Sequence, residues 1–322
     1  MKNVIAYAEN GIYAGWPANH GGWQWGDEFL VGFMRGAYKR QSMHNIIEPF
    51  ELMQARSLDG GETWATETPN IPVDYYETNA APEFSLKDAI IRVRGTYDHG
   101  GDCLPPGGGF WLSRNRGRVW SGPFGFDGLV LPPEQHLTAR TCTLGDLVFL
   151  SKAQIDFWGT DDVFAARHDG KRFSVAGIVC DDNARAVMPA VAMVGDRIVC
   201  TMRRRKNGRR DGWIDAFGSE DGGESWRFLS EVGVTGSQNG NPPALIASGD
   251  RLICAYGNRD ECAILARESF DGGKTWSLAQ TLRDGGKSDI GYPRLFLRSD
   301  GKAVCVYYWA ENNQQHIAAT IF

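Results

Sequence analysis

A turn of the form Ser-x-Asp-x-Gly-x-Thr-Trp occurs repeatedly along the chain and constrains its fold more than any other feature. Three segments match it closely and a fourth keeps its Ser, Gly and Trp: Ser57–Trp64, Ser219–Trp226, Ser269–Trp276 and Ser113–Trp120. A fifth remnant spans Arg167–Phe173. The copies recur at intervals of roughly 50 to 56 residues, which is the length of one four-stranded blade of a β-propeller. The sequence therefore predicts an all-β chain built from such blades.

The residue types of the turn suit a tight connection between strands. An Asp accepts hydrogen bonds from the backbone N–H groups that follow it, and Gly adopts positive φ without steric cost. The Trp ring is large enough to fill the space between neighbouring sheets. We expect each copy to join the two outer strands of a blade.

A second landmark, a short hairpin turn between two apolar runs, indicates the number of blades. It occurs six times, at Gly26-Asp27, Lys87-Asp88, Gly145-Asp146, Gly195-Asp196, Gly249-Asp250 and Asp300-Gly301. The last copy leaves too few residues for a full blade before Phe322, so we expect residues 3–8 to supply its missing strand. The prediction is a single six-bladed propeller domain over residues 1–322, with blade six closed by the N-terminal strand.

Composition excludes several classes of function. The chain has 322 residues and a net charge of −5, with 42% hydrophobic and 23% charged residues, which is typical of a soluble globular protein and argues against nucleic-acid binding. No apolar run has the length of a signal peptide core or a membrane span, so we expect a cytoplasmic protein without a membrane partner. The seven cysteines lack metal-ligand spacing, and neither a metal nor a cofactor is expected. Cys200, Cys254 and Cys305 lie in apolar runs and are interpreted as small buried hydrophobic residues.

Prolines locate the mouth of the propeller channel. Proline is tolerated at the start of an innermost strand because that position needs no backbone donor. The residues just before these positions are expected to surround the channel mouth: Trp16, Ala81, Thr138, Met188, Pro242 and Tyr292.

Basic residues recur where the second strand of a blade ends, at Arg35, Arg94, Lys152, Arg203 and Arg259. On a chain of negative net charge, this recurrence suggests a cationic ring above the channel. Such a ring would suit a carboxylate, sulfate or phosphate, which Arg binds in a bidentate manner. The alternative is that these side chains are solvated or paired with neighbouring acids.

These motifs resemble the sialidase superfamily, in which the repeated turn is called the Asp-box. The resemblance covers nearly the whole chain and implies a propeller in which three arginines bind a substrate carboxylate. It further implies a Tyr nucleophile with a Glu partner, and an Asp as acid/base. Arg203 is similar to the blade-four arginine of the family, Arg259 to the blade-five arginine, and Tyr292 in Gly-Tyr-Pro to the nucleophile.

Three family positions are occupied differently in this sequence, which predicts a non-standard active site. The first arginine is replaced by the segment Gly15-Trp16-Pro17, and the Glu partner of the Tyr by Val187-Met188-Pro189. No Asp occurs near residues 40–44, where the acid/base would fall.

Other acid–base and stacking residues could complete the site. The cluster from Tyr97 to Asp102 contains Asp98 and His99, which we take as the first acid/base candidates, with His44 next. Arg35 and His136 are further candidates for substrate binding. Trp16 and Trp158 could stack on a sugar face, although tryptophans also fill the space between blades.

The expected function is exo-acting hydrolysis of an acidic glycan, sialic-acid-like or uronate-containing, with Tyr292, Asp98, His99 and His44 as candidate catalytic residues. The candidate substrate-binding residues are Arg35, Arg203, Arg259, Trp16, His136 and Trp158. Two enzymatic alternatives stay open, a polysaccharide lyase and a His-dependent glycosidase. In the lyase, His or a His–Tyr pair would abstract a proton α to a uronate carboxylate that Arg neutralises. A non-catalytic glycan-binding propeller is the alternative outside the enzymes.

Overall fold

A computed structural model describes residues 1–41, 44–95, 107–131, 135–154, 162–206, 208–237 and 239–322. Within them the chain forms one short helix, α1 (Pro17–His20), and a long series of strands. The strands of the first half are β1 (Lys2–Tyr7), β2 (Ile12–Gly15), β3 (Gly22–Trp25), β4 (Glu28–Tyr38), β5 (Ile46–Ser57), β6 (Ala65–Glu67), β7 (Ile90–Arg94), β8 (Gly109–Ser113), β9 (Ser121–Phe124), β10 (Gln135–Leu137), β11 (Thr143–Leu144), β12 (Leu147–Gln154), β13 (Asp162–His168) and β14 (Phe173–Cys180). The strands of the second half are β15 (Arg185–Val194), β16 (Arg197–Arg205), β17 (Gly212–Ser219), β18 (Arg227–Gly236), β19 (Ala244–Ser248), β20 (Arg251–Asn258), β21 (Ala263–Ser269), β22 (Gln280–Arg283), β23 (Gly291–Leu297), β24 (Ala303–Glu311) and β25 (Gln314–Ile321).

The described strands pair into five sheets arranged as a propeller. Two sheets have four strands each, β15–β18 and β19–β22, and follow chain order. A five-stranded sheet contains β10 to β14, and a three-stranded sheet contains β7 to β9. The nine-stranded sheet runs β23-β24-β25-β2-β4-β5-β6, with β1 beside β25 and β3 beside β4. Both ends of the chain therefore meet in one sheet.

The N-terminal strand closes this nine-stranded sheet as the sequence predicts. β1 pairs antiparallel with β25, so that Lys2 lies opposite Ile321 and Asn3 opposite Thr320. The Thr320 hydroxyl also donates to the Asn3 side-chain oxygen at 2.8 Å. These contacts tie the first strand to the last.

Apolar side chains fill the spaces between consecutive sheets. Phe149 and Cys200 share one cluster between the five-stranded sheet and β15–β18. Val199 and Leu252 share the next, between β15–β18 and β19–β22. Similar clusters join β19–β22 to the nine-stranded sheet, and the three-stranded sheet to the five-stranded one. The stability of the fold therefore comes mainly from apolar area buried between sheets.

The cysteine interpretation agrees with the structure. Cys200, Cys254 and Cys305 are each 0% exposed. The described cysteines are free thiols. Cys200, Cys254 and Cys305 act as small apolar residues in the packing between sheets.

Each copy of the repeated turn lies between two paired strands, in the position that its residue types predict. In the first copy the Ser57 hydroxyl donates to Asp59 Oδ1 at 2.8 Å, and Thr63 N donates to the same oxygen at 2.9 Å. Trp64 Nε1 donates to the Gly61 carbonyl at 3.0 Å. Gly61 has φ of 88°, which only Gly adopts without strain. The turn thus satisfies its own backbone and anchors its Trp.

One predicted hairpin is wrong. Lys87-Asp88 lies in a turn, but no strand precedes it, because residues 68–89 contain only an isolated bridge at Asn79. Prolines at 69, 72 and 82 remove backbone donors from this segment. Arg94 instead holds the segment by donating to the carbonyls of Pro72 and Val73 at 2.7 and 2.6 Å. Ala81 accordingly lies in a cluster between sheets rather than at the channel mouth.

Candidate functional site

Three bulky residues at the predicted channel mouth have a left-handed backbone. Trp16, Met188 and Tyr292 have φ of 58°, 58° and 51°, and each precedes a proline. Proline disfavours the right-handed α region in the residue before it. A left-handed conformation costs a non-glycine residue roughly 1–2 kcal/mol, and such strain is concentrated at functional sites. Met188 and Tyr292 lie at register shifts in β15 and β23, and Trp16 immediately precedes α1.

Tyr292 is held firmly at the start of β23. Its backbone N–H donates to Asn241 Oδ1 at 2.8 Å, and Asn241 Nδ2 donates to the Ile290 carbonyl at 2.9 Å. Asn241 is 0% exposed, so this side chain fixes the loop before β23 from inside the protein. The phenol of Tyr292 is thereby placed among the arginines.

Arg203 and Arg259 converge on Tyr292 from β16 and from the residue that follows β20. Arg203 Nη1 donates to the Tyr292 hydroxyl at 3.3 Å, and its Nη2 donates to the Asn239 carbonyl. The Arg259 guanidinium lies 5.9 Å from the centroid of the Tyr292 ring. Two cations from separate sheets therefore flank one phenol.

Asp289, three residues before Tyr292, is the centre of a polar cluster. Its Oδ1 accepts from the Tyr308 hydroxyl at 2.7 Å and contacts His44 Nδ1 at 3.0 Å. Its Oδ2 accepts from the Tyr13 hydroxyl at 3.2 Å. Arg259 Nη2 lies 4.0 Å from Oδ1 and also donates to the Tyr308 hydroxyl at 3.0 Å. One carboxylate thus joins two tyrosines, a histidine and an arginine.

His44 is fixed in orientation by this carboxylate. An ionised Asp only accepts hydrogen bonds, so the proton of this contact belongs to His44 Nδ1. The edge of the imidazole also packs against Trp16, with ring centroids 5.0 Å apart. The side chain of His44 is 21% exposed, against 13% for Asp289. A histidine oriented by a largely buried carboxylate has the arrangement of a general acid or base.

The surroundings of the cluster lower the pKa of its carboxylate and raise the pKa values of its two tyrosines. Burial acts to raise the pKa of Asp289, but His44, Arg259 and Tyr308 outweigh it and hold that pKa below its usual range. Burial and the charge of Asp289 raise the pKa of both Tyr13 and Tyr308 well above the ordinary value. These two hydroxyls therefore remain protonated donors to the carboxylate.

The two arginines differ in their electrostatic surroundings. Burial acts to lower the pKa of Arg259, but Tyr308, Tyr292 and Asp289 raise it above its ordinary value. Burial lowers the pKa of Arg203 to about 10, and Arg185 and Arg259 act in the same direction. Within the described part of the chain, the hydrogen-bond acceptors of Arg203 are all neutral: Tyr292 Oη, Met188 Sδ and the Asn239 carbonyl. Among the described residues, Arg203 has no acidic neighbour comparable to Asp289 beside Arg259.

The structure brings together five of the residues singled out from the sequence: Tyr292, His44, Arg203, Arg259 and Trp16. The other basic residues of the expected cationic ring lie elsewhere. Arg35 is ion-paired with Glu9 and Glu51, and Lys152 with Asp162. Arg94 is buried and contacts backbone carbonyls. The described contacts therefore reduce the expected ring to Arg203 and Arg259.

No contact with this cluster is described for the remaining candidates. His136 is partly exposed on β10, two residues before Thr138 at the predicted channel mouth. Asp98, His99 and Trp158 lie outside the described residues. Their roles stay predictions.

Sequence reasoning missed Asp289, Tyr308 and Tyr13. Asp289 precedes Tyr292 by only three residues, so the loop before β23 offered a signal for it. Tyr308 and Tyr13 lie inside strands and are 0% exposed, and as aromatic residues of apolar runs they are typical of core packing. Only the tertiary contacts distinguish them.

The described residues contain neither a metal site nor a membrane-spanning helix. No group of three or more His, Cys, Asp or Glu side chains is arranged to hold a metal ion there. Within the same part of the chain, no helix has the length and apolar character needed to cross a membrane.

Comparison with known proteins assigns the family. A family model described as a BNR repeat-like domain matches residues 111–305, which is more than half of the chain. The chain belongs to the BNR repeat-like family. This assignment confirms the resemblance to the sialidase-like propeller superfamily. Comparison with curated protein sequences yields no match.

Solved structures of similar fold include known glycosidases. A protein of unknown function from Dyadobacter fermentans has a TM-score of 0.73 and 19% identity, covering 99% of this chain and 97% of that one. The Hadza microbial sialidase Hz136 has a TM-score of 0.60 and 17% identity, covering 92% of this chain and 63% of that one. A Penicillium chrysogenum α-L-arabinanase complexed with arabinobiose has a TM-score of 0.61 and 13% identity, covering 100% and 98%. At these identities the likeness concerns the fold alone.

Proposed function

We propose that this BNR repeat-like protein is an exo-acting glycosidase for a sugar that bears a carboxylate, either sialic-acid-like or a uronate. The observation on which this rests is the convergence of Arg203, Arg259 and the Asp289–His44 pair on Tyr292 and Tyr308. The fold that the chain shares with a sialidase and an arabinanase supports a carbohydrate-active hydrolase in general.

The preference for an acidic sugar follows from Arg203. Its side chain is buried and meets only neutral acceptors among the described residues. A buried cation without a counter-charge is costly, and a substrate carboxylate would supply that charge. Arg binds a carboxylate through two parallel hydrogen bonds, which also fixes the orientation of the sugar ring.

The proposed chemistry uses Tyr292 and His44. Tyr292 Oη would attack the anomeric carbon while Arg203, at 3.3 Å, stabilises the negative charge on that oxygen. His44, oriented by Asp289, would take the phenol proton as Tyr292 attacks and deliver it to the departing glycosidic oxygen. In the second step it would take a proton from the attacking water and return it to Tyr292 Oη. The net reaction adds one water across one C–O bond. Asp289 is a positioning residue in this scheme.

We further propose that the described sheets represent six blades of a single domain. The nine-stranded sheet would contribute two blades, β23-β24-β25-β1 and β3-β4-β5-β6, with β2 between them. The other four sheets would contribute one each. A cytoplasmic location, expected from the sequence, is part of the same proposal.

A polysaccharide lyase is the second candidate, because the same arrangement suits β-elimination from a uronate. The fixed orientation of His44 against Asp289 is the observation that favours it. His44 would take the proton α to the carboxylate, Arg203 would neutralise that carboxylate, and the 4-linked oxygen would depart with the electron pair. The product would carry a new C=C bond.

A substrate screen tests both candidates. The protein is incubated with aryl glycosides of sialic acids, uronic acids and neutral sugars, and with uronate-containing polysaccharides, while aryl release and unsaturated-product absorbance are recorded. The proposed function predicts aryl release from an acidic glycoside that is lost in Tyr292→Phe and retained in Tyr256→Phe, whose hydroxyl contacts Arg267 instead. Activity on neutral sugars alone would refute the role of the arginines. Binding of acidic sugars without turnover would identify a glycan-binding propeller.

A further inference from the structure

A cavity on the propeller axis contains two arginines that the proposed reaction does not use. Its volume is about 140 Å³, against roughly 30 Å³ for one water molecule in the liquid. The lining comes from strands of four sheets and includes Arg140 and Arg294. No described lining residue is acidic.

Both arginines tie the inner segments of the sheets together through backbone carbonyls. Arg140 donates from Nε to the Pro189 carbonyl at 2.9 Å and from Nη2 to the Pro243 carbonyl at 2.7 Å. Arg294 donates to the carbonyls of Pro17 and Thr141, at 3.3 and 2.9 Å, and to that of Ala18. These hydrogen bonds give the two arginines a structural role, because each arginine joins segments of different sheets.

The carbonyls do not neutralise the charge. Arg140 is 1% exposed, and its Nη1 has no hydrogen-bond partner among the described residues. Neither Arg140 nor Arg294 forms an ion pair in that part of the chain. Burial lowers the pKa of Arg140 to about 10, and burial with the nearby charge of Arg140 lowers that of Arg294 well below the ordinary value. Two cations thus repel each other in a cavity whose described lining residues include no acidic side chain.

The sequence places these arginines at equivalent positions. Each lies two residues after a predicted mouth residue, Thr138 or Tyr292. The corresponding positions after Trp16, Met188 and Pro242 are all alanine: Ala18, Ala190 and Ala244. Alanine therefore suffices for an inner segment to pack at this level of the channel, and the arginines supply charge that packing does not require.

We propose that the axial cavity binds a small inorganic anion, held by Arg140 Nη1 and by the charge of Arg294. The volume accommodates a halide or a tetrahedral oxyanion. The anion would balance the charges of the buried Arg140 and the partly buried Arg294, and it would provide an acceptor for the Arg140 Nη1 group. None of the described residues that line the cavity belongs to the proposed catalytic cluster, and the anion proposal stands whether or not the glycosidase proposal does.

Thermal unfolding in defined anions tests the site. The protein is dialysed into sodium gluconate, whose anion is too large for the cavity, and is titrated with sodium bromide or sodium sulfate at constant ionic strength. For at least one of the two anions the wild type should show a saturable rise in Tm of about 4 °C at one hundred times the Kd. Arg140→Met should lose the saturable response, and Arg209→Gln should keep it because Arg209 lies at the surface beside Glu231.

A crystallographic measurement keeps the test decisive even if Arg140→Met does not fold. Crystals of the wild type soaked in bromide should show an anomalous peak inside the cavity, within hydrogen-bond distance of Arg140 Nη1. The proposal is overturned if both anions give the same unsaturated response in wild type and Arg140→Met. An empty cavity in the anomalous map, together with no saturable response to sulfate, would overturn it as well.

Discussion

His44 Nδ1 lies 3.0 Å from Asp289 Oδ1, although the two residues are 245 positions apart in the chain. The contact joins the segment between β4 and β5 to the loop before β23. β4, β5 and β23, which border these two segments, belong to the nine-stranded sheet that unites the two ends of the chain. The candidate acid/base therefore exists only when this sheet is complete.

Asp289→Asn should reduce kcat about 10²- to 10⁴-fold on the acidic glycoside identified by the screen. The amide conserves volume, but its NH₂ group donates and would favour the wrong tautomer of His44. Steady-state kinetics give the result, and circular dichroism checks that the variant is folded. A kcat within twofold of wild type would exclude a positioning role for Asp289.

Tyr292→Phe should lower kcat more than about 10³-fold, because it removes the proposed nucleophile and keeps the ring. The Tm should change by only a few degrees, since the backbone hydrogen bond from Tyr292 N to Asn241 remains. Tyr256→Phe is the matched control, because that hydroxyl contacts Arg267 away from the cluster. Equal kcat values in the two variants would contradict the assignment.

Arg203→Gln should raise KM for an acidic glycoside about 10- to 100-fold, since a charge-assisted hydrogen bond is lost. The decisive quantity is the ratio of kcat/KM for the free acid to that for its methyl ester, which should fall by a similar factor. This ratio cancels any general loss through Tyr292. Arg209→Gln should leave it unchanged, and an unchanged ratio in Arg203→Gln would show that the carboxylate is bound elsewhere.

Asp271→Asn should reduce the loss of stability that acid causes. Slight burial acts to raise the pKa of Asp271, but hydrogen bonds from Thr275, Ser269 and Lys274 lower it from 3.8 to about 2. A carboxyl whose folded pKa is depressed contributes stability above its unfolded pKa of 3.8, and that contribution is lost as the pH falls towards 2.

Urea unfolding at pH 5 and pH 2.5 measures the effect. The difference in unfolding free energy between the two pH values should be smaller in Asp271→Asn than in wild type. Asp250→Asn, in an exposed hairpin turn, is the control and should keep the wild-type difference. Equal differences in Asp271→Asn and wild type would show that the turn is not coupled to global unfolding.

Much of the candidate site could be located from the sequence, because it depends on local patterns. Tyr292 and Trp16 precede prolines at the start of inner segments, and Arg203 and Arg259 come at or just after the ends of second strands. A repeated fold places equivalent positions at one level of the ring. Local spacing was therefore enough to group these residues, whereas the segment containing Lys87-Asp88 departed from the pattern and was predicted wrongly.

The sequence by itself determined the all-β repeat and the turn chemistry, and it grouped Trp16, Met188 and Tyr292 by the proline that follows each of them, since each of these features depends on neighbours within a few positions. Only the tertiary structure decided that Asp289 joins His44, Tyr308 and Tyr13, and that Arg35 pairs with Glu9 and Glu51 instead. Such pairings depend on which strands become adjacent when the ring closes. Closure brings the first and last strands together across the whole length of the chain, and no local spacing encodes those distances.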